Sequence, residues 1–113
     1  MKQEQVKIGK AEVGVGRDVY IIAEVGSNWT NFNDAKDSVS MAAQLGADAV
    51  KFQLYNHKAL YGIDATPMLG EMPLDWVPKL KEKADACGIE FLCSAFSPYL
   101  LNYVEQYVVA HKI

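Results

Sequence analysis

Alternating strand and helix signals constrain this chain more than any other feature. Residues 19–25 are near-continuously apolar and stop at Gly26, and residues 49–54 and 89–93 read the same way. Short apolar runs bounded by turn residues predict strands buried in a sheet. Segments of helical period lie between them. Asn31, Asn33 and Asp34 offer N-caps for a helix with Ala35, Val39, Ala42 and Leu45 near one stripe, ending at Gly46. Asp75 is the expected cap of a second helix, with Pro78 in its first turn. Val77, Leu80, Ala84 and Cys87 form its inner face, and Gly88 ends it. Ser97 and Pro98 start a third helix, packed through Leu101 and Val104. Residues 109–113 begin a further strand. Ahead of the series, residues 6–8 and 12–15 flank Gly9 and Lys10 as a β-hairpin. Residues 56–72, with Gly62, Pro67 and Gly70, lack a period and read as a long loop of the functional kind.

A hairpin followed by β-α-β-α-β-α-β predicts a parallel α/β sheet with right-handed crossovers. Both an open doubly wound sheet and the first half of a (β/α)₈ barrel fit this order. The 113 residues suffice for one domain, and half of them are hydrophobic. No run approaches the roughly 18 apolar residues of a membrane span. No apolar leader follows Met1, so no signal peptide is expected. Eleven basic against fourteen acidic residues, a net charge of −3, argue against a nucleic-acid partner. Cys87 and Cys93 form neither a disulfide framework nor a zinc set, which makes a reducing cytoplasm the default. Both read as buried, inert thiols.

Side chains alternate along a strand, so Lys51 and Gln53 face one layer while Val50, Phe52 and Leu54 face the other. The polar pair then lies near the C-terminal end of its strand, where both architectures bind ligands. A lysine in that layer needs an anion. A phosphate contact, a Schiff-base amine, or pairing with a carboxylate such as Glu24 would each account for it. Glu24 closes its own strand beside the polar turn of Gly26, Ser27 and Asn28. It can hold a hydroxyl, act as a base, or pair with Lys51. Ser94 follows the 89–93 strand and Lys112 sits on the last one, and taken together these residues suit a small, highly anionic ligand plus a hydroxylated partner. His57 reads as a solvated loop residue. Trp76 reads as helix packing, whereas Trp29, directly after Asn28, has no obvious structural duty. Gly14 and Gly16 precede no helix and make no dinucleotide fingerprint.

Ala-Glu-Val-Gly-Ser-Asn at 23–28 and Gly-Ala-Asp-Ala-Val-Lys-Phe-Gln at 46–53 resemble the sialic acid synthase (N-acetylneuraminate synthase, NeuB) family. The resemblance continues through Pro-Leu-Asp-Trp at 73–76, residues 88–96, and His-Lys-Ile at 111–113. It implies a TIM (β/α)₈ barrel, of which residues 1–113 are the N-terminal portion, with 1–16 as the leading hairpin and no second domain. It also implies condensation of phosphoenolpyruvate with an N-acyl amino sugar such as N-acetylmannosamine, in nonulosonic acid and surface polysaccharide biosynthesis. C3 of phosphoenolpyruvate attacks the open-chain aldehyde, water adds at C2, and phosphate leaves by C–O cleavage.

By the same resemblance Glu24 and Lys51 are catalytic, and Lys51, Lys112 and Ser94 hold phosphoenolpyruvate. Glu24 and Gln53 lie near the sugar, and Asn28 belongs to the substrate-binding set. A divalent metal, manganese or magnesium, is implied as a Lewis acid, with its ligands outside this chain. The full-length protein is expected to be a cytoplasmic homodimer without nucleic-acid or membrane partners. The 113 residues are expected to be part of a longer enzyme and inactive alone. Where the family commonly has histidine after the first-loop asparagine, this chain has Trp29. Two other readings use the same residues. One is a related phosphoenolpyruvate-condensing or class I aldolase barrel. The other is a non-catalytic anion-binding half-barrel.

Overall fold

The computed structural model of the chain describes residues 5–55 and 71–112. Most of the 56–72 loop, with His57, Gly62, Pro67 and Gly70, lies outside the described residues, as does Ile113. The elements are β1 (Gln5–Ile8), β2 (Ala11–Gly14), β3 (Ile22–Gly26), α1 (Phe32–Gln44), β4 (Ala49–Leu54), α2 (Trp76–Cys87), β5 (Glu90–Ala95) and α3 (Pro98–Glu105). β1 and β2 form the expected antiparallel hairpin, and β3-β4-β5 form a parallel sheet in that order. Strand–helix alternation thus produced the α/β layering that it predicts.

The core lies between one face of the sheet and the helices. Val50, Phe52 and Leu54 of β4 are buried against α1 and α2, and Phe91 and Cys93 extend that face on β5. The Phe52 and Phe91 rings stack 5.9 Å apart. Ala35, Val39 and Ala42 of α1 are buried, as are Val77, Leu80 and Ala84 of α2. The Asn31 side chain accepts from the Asp34 N–H at 2.9 Å, capping α1. Asp34 reaches back to the Thr30 N–H and hydroxyl. Ser97 caps α3 through the Leu100 N–H, with Pro98 in the first turn. Gly46 and Gly88 stand at the helix ends where they were expected.

Several expectations need correction. The run at 19–25 is not a buried strand. β3 begins at Ile22, and Val19, Ile21 and Ile22 are exposed. The cause is Asp48. Its carboxylate accepts the Ile21 N–H at 2.7 Å, while the Ile21 carbonyl accepts from the Asp48 and Ala49 N–H groups. The Ile21 N–H therefore leaves the ladder, whose first rung is the Ala49 N–H on the Ile21 carbonyl, opposite Ile22. β2 likewise stops at Gly14, leaving Val15 outside the hairpin. Leu45 is 81% exposed, one position past the end of the apolar stripe. Asp75 precedes α2 in a helical conformation and caps nothing; its carboxylate meets Lys79 instead. Cys87 is only half-buried. In α3 the start at Pro98 turns Leu100, not Leu101, toward the core with Val104. Ser94 lies within β5 rather than beyond it. Residues 109–112 make no ladder with β5 and are irregular.

Candidate functional site

The opposite face of the sheet carries the polar residues. In register, Glu24 of β3 stands beside Lys51 of β4, and Lys51 beside Leu92 of β5. Parallel partners point the same way, so strand pairing brings the two charges together. Glu24 Oε2 lies 3.2 Å from Lys51 Nζ. The lysine side chain is only 13% exposed and the glutamate 48%. Lys51 thus has the carboxylate partner that pairing requires. That contact also places a counter-ion where the Schiff-base reading needs a free amine.

A cavity of about 550 Å³ opens along this face. Glu24, Lys51, His111 and Lys112 supply its polar lining, and Ile8, Ile22 and Leu92 its apolar floor. The hairpin therefore contributes to the site, because Ile8 closes the cavity from below. Lys112 reaches the cavity although its backbone is not a strand. His111 Nε2 lies 3.9 Å from Glu105 Oε1, a contact that is ionic only when the imidazole is protonated.

Gln53 and Ser94 pair across β4 and β5 one pleat further toward the C-terminal end. Neither lines the cavity itself. Lys51 stands in the middle of β4, so the site runs along the strands rather than sitting only at their tips. Asn28 follows the end of β3, where its N–H bonds the Val25 carbonyl at 3.0 Å. It is exposed and does not line the cavity.

Ser27 was missed from sequence. Its hydroxyl lies 3.3 Å from Gln53 Oε1. Only the long-range register reveals this contact, and no local signal marks it. Trp29 turns away from the cavity and packs against Trp76 at 4.6 Å, with Phe32 5.3 Å from the same Trp76 ring. Its duty is helix packing, although its buried Nε1 has no hydrogen-bond partner. Burial, with Glu24 adding to it, pushes the Cys93 thiol up to about 12, consistent with an inert core thiol.

Among the described residues no group of three or more His, Cys, Asp or Glu side chains forms a metal set. No helix among them is long and apolar enough to cross a membrane.

No family model matches the chain. An uncharacterized protein of Methanocaldococcus jannaschii is 36% identical over 110 residues. That alignment takes in 90% of this chain but 31% of the relative. Among solved structures, N-acetylneuraminic acid (sialic acid) synthetase of Leptospira borgpetersenii, determined in complex with citrate, superposes with a TM-score of 0.83 at 28% identity. The match covers 93% of this chain and 39% of that one. Spore coat polysaccharide biosynthesis protein SpsE of Bacillus subtilis gives a TM-score of 0.77 at 27% identity, covering 91% and 31%. The chain thus spans about a third of the length of the curated relative it matches. These structural neighbours are TIM-barrel enzymes, and the described residues form an α/β unit that superposes on part of such a barrel.

Proposed function

We propose that this chain forms the anion-binding wall of a sialic acid synthase-type barrel. The reaction is condensation of phosphoenolpyruvate with an N-acyl amino sugar such as N-acetylmannosamine, releasing phosphate. One observation carries the reading: Lys51 and Lys112, far apart in sequence, line one cavity with Glu24. Two ammonium groups in a partly apolar cleft suit a ligand carrying both a carboxylate and a phosphate. The Leptospira neighbour, solved with the tricarboxylate citrate, supports an anionic ligand for this class of site.

Lys51 and Lys112 hold and orient phosphoenolpyruvate by charge-assisted bonds. Glu24 keeps Lys51 in place before substrate arrives. Once the anion takes the lysine, the glutamate is released to accept a hydrogen bond or proton from a sugar hydroxyl. Gln53 and Ser94, one pleat above, face the region where the second substrate enters. The divalent metal that the synthase resemblance implies would take its ligands from outside these residues and would polarise the sugar aldehyde as a Lewis acid. The protein is proposed to act in surface polysaccharide biosynthesis, in the cytoplasm, as a homodimer.

The test is phosphate release from phosphoenolpyruvate by the protein as its gene encodes it, with N-acetylmannosamine and manganese. Sugar-dependent release that Lys51→Ala abolishes is the expected result. Turnover near wild type in that variant removes Lys51 from the site. Trapping of a lysine adduct by borohydride would instead favour the aldolase reading.

A further inference from the structure

We infer that Ser27 is a positioning residue that sets which end of the Gln53 amide meets the second substrate. The inference deepens the synthase reading and rests on it. The geometry has three parts. β3 pairs in register with β4 up to Glu24 and Lys51, then shifts so that Gly26 stands beside Phe52. The shift is a bulge, which re-aims the chain at the strand end. Gly26 then adopts φ +61°, a left-handed conformation that suits glycine. A Cβ on Gly26 would lie 3.3 Å from Glu24 Oε1 and 3.6 Å from Gln53 Cδ. The backbone therefore lies close against both functional side chains, and only hydrogen occupies the gap.

The third part follows from this turn. It carries Ser27 over β4, where the hydroxyl donates to Gln53 Oε1 at 3.3 Å. The Asn28 N–H closes the turn on the Val25 carbonyl at 3.0 Å, and the Trp29 N–H bonds the Ser27 carbonyl at 3.0 Å. Ser27 is thus held by backbone bonds on its C-terminal side. An amide has an accepting oxygen and a donating nitrogen. With the oxygen turned toward Ser27, the NH₂ end points away from it and is available to a ligand. Gln53 then selects an oxygen that can only accept, such as the carbonyl of an N-acyl group or of an open-chain aldehyde. A protonated free amine, which only donates, is disfavoured at that end.

Steady-state kinetics on the protein as its gene encodes it test the consequence. Ser27→Ala should raise KM for N-acetylmannosamine about two- to tenfold, the range of one neutral hydrogen bond. KM for phosphoenolpyruvate and kcat should stay within about twofold. Ser27→Thr, which keeps the hydroxyl, should restore the sugar KM. Gln53→Glu keeps an oxygen for Ser27 but presents another oxygen to the ligand, and should lose the sugar. An unchanged sugar KM in Ser27→Ala, or a well-bound sugar in Gln53→Glu, overturns the inference. A second measurement needs no turnover. In ¹⁵N-labelled protein, the Gln53 side-chain amide signals are identified by their loss in Gln53→Glu. Nuclear Overhauser contacts from Ser27 Hβ to the Gln53 NH₂ protons would put the nitrogen on the serine and refute the orientation. Their absence, with a shift of those signals in Ser27→Ala, supports it. If the wild type shows no synthase turnover, the synthase reading fails while the amide experiment still decides the orientation.

Discussion

Replacing Lys51 with methionine separates a structural lysine from a functional one. Methionine keeps most of the buried stem and removes only the ammonium. The ion pair it breaks is 3.2 Å long, but Glu24 is about half exposed. A carboxylate that water can re-solvate recovers most of what it loses, so the net cost should be about 1 kcal/mol or less. The opposite change is worse. Glu24→Gln leaves a lysine only 13% exposed without its carboxylate. An under-satisfied charged donor of that kind costs about 1–3 kcal/mol. Urea unfolding at unchanged slope reads both values. Phosphoenolpyruvate binding should respond in a different proportion. A charge-assisted bond contributes about 1.5–3 kcal/mol, so calorimetry should show Kd for Lys51→Met raised about 10- to 150-fold. Unchanged binding, or a larger stability loss in Lys51→Met than in Glu24→Gln, would show that the lysine serves the fold and refute the argument.

Three further predictions concern the surroundings. Gly26→Ala should lower both stability and sugar affinity, because an alanine at φ +61° is strained and its methyl crowds Glu24 and Gln53; urea unfolding and the sugar KM check it. Trp29→Phe should stay within about 1 kcal/mol of wild type, since the lost ring area is offset by removing a buried donor without a partner; thermal unfolding tests this, and a loss several times larger would mean that the indole N–H is satisfied. Cys93 has a folded-state pKa of about 12 against an ordinary 9.0, so the unfolded chain ionises first. Its contribution is full below about pH 9 and is lost as pH rises toward 12, and Cys93→Ala should flatten that part of the stability–pH curve.

Local patterns revealed much of this fold because local chemistry determines much of it. β4 matches its expected bounds, with apolar and polar residues alternating cleanly from Val50 to Leu54. Helix ends at Gly46 and Gly88 were legible because glycine suits the left-handed turn. The misreadings have two causes, contacts distant along the chain and the phase of a helix start. Ile21 looks like strand but gives its N–H to the Asp48 carboxylate, 27 positions away. The phase of α3 depended on where Pro98 starts it, which placed Leu100 rather than Leu101 inside. Glu24 and Lys51 were legible as partners because parallel strands of similar length align. The Ser27 contact with Gln53 was not, since it depends on a one-residue bulge that no local pattern marks.

The most direct test of the account follows the bridging oxygen of phosphoenolpyruvate. The protein as its gene encodes it is given substrate labelled with ¹⁸O between C2 and phosphorus, together with N-acetylmannosamine and manganese. The account predicts sugar-dependent release of phosphate that retains the label, because water adds at C2 and the C–O bond breaks. Unlabelled phosphate, or release that ignores the sugar, would contradict it.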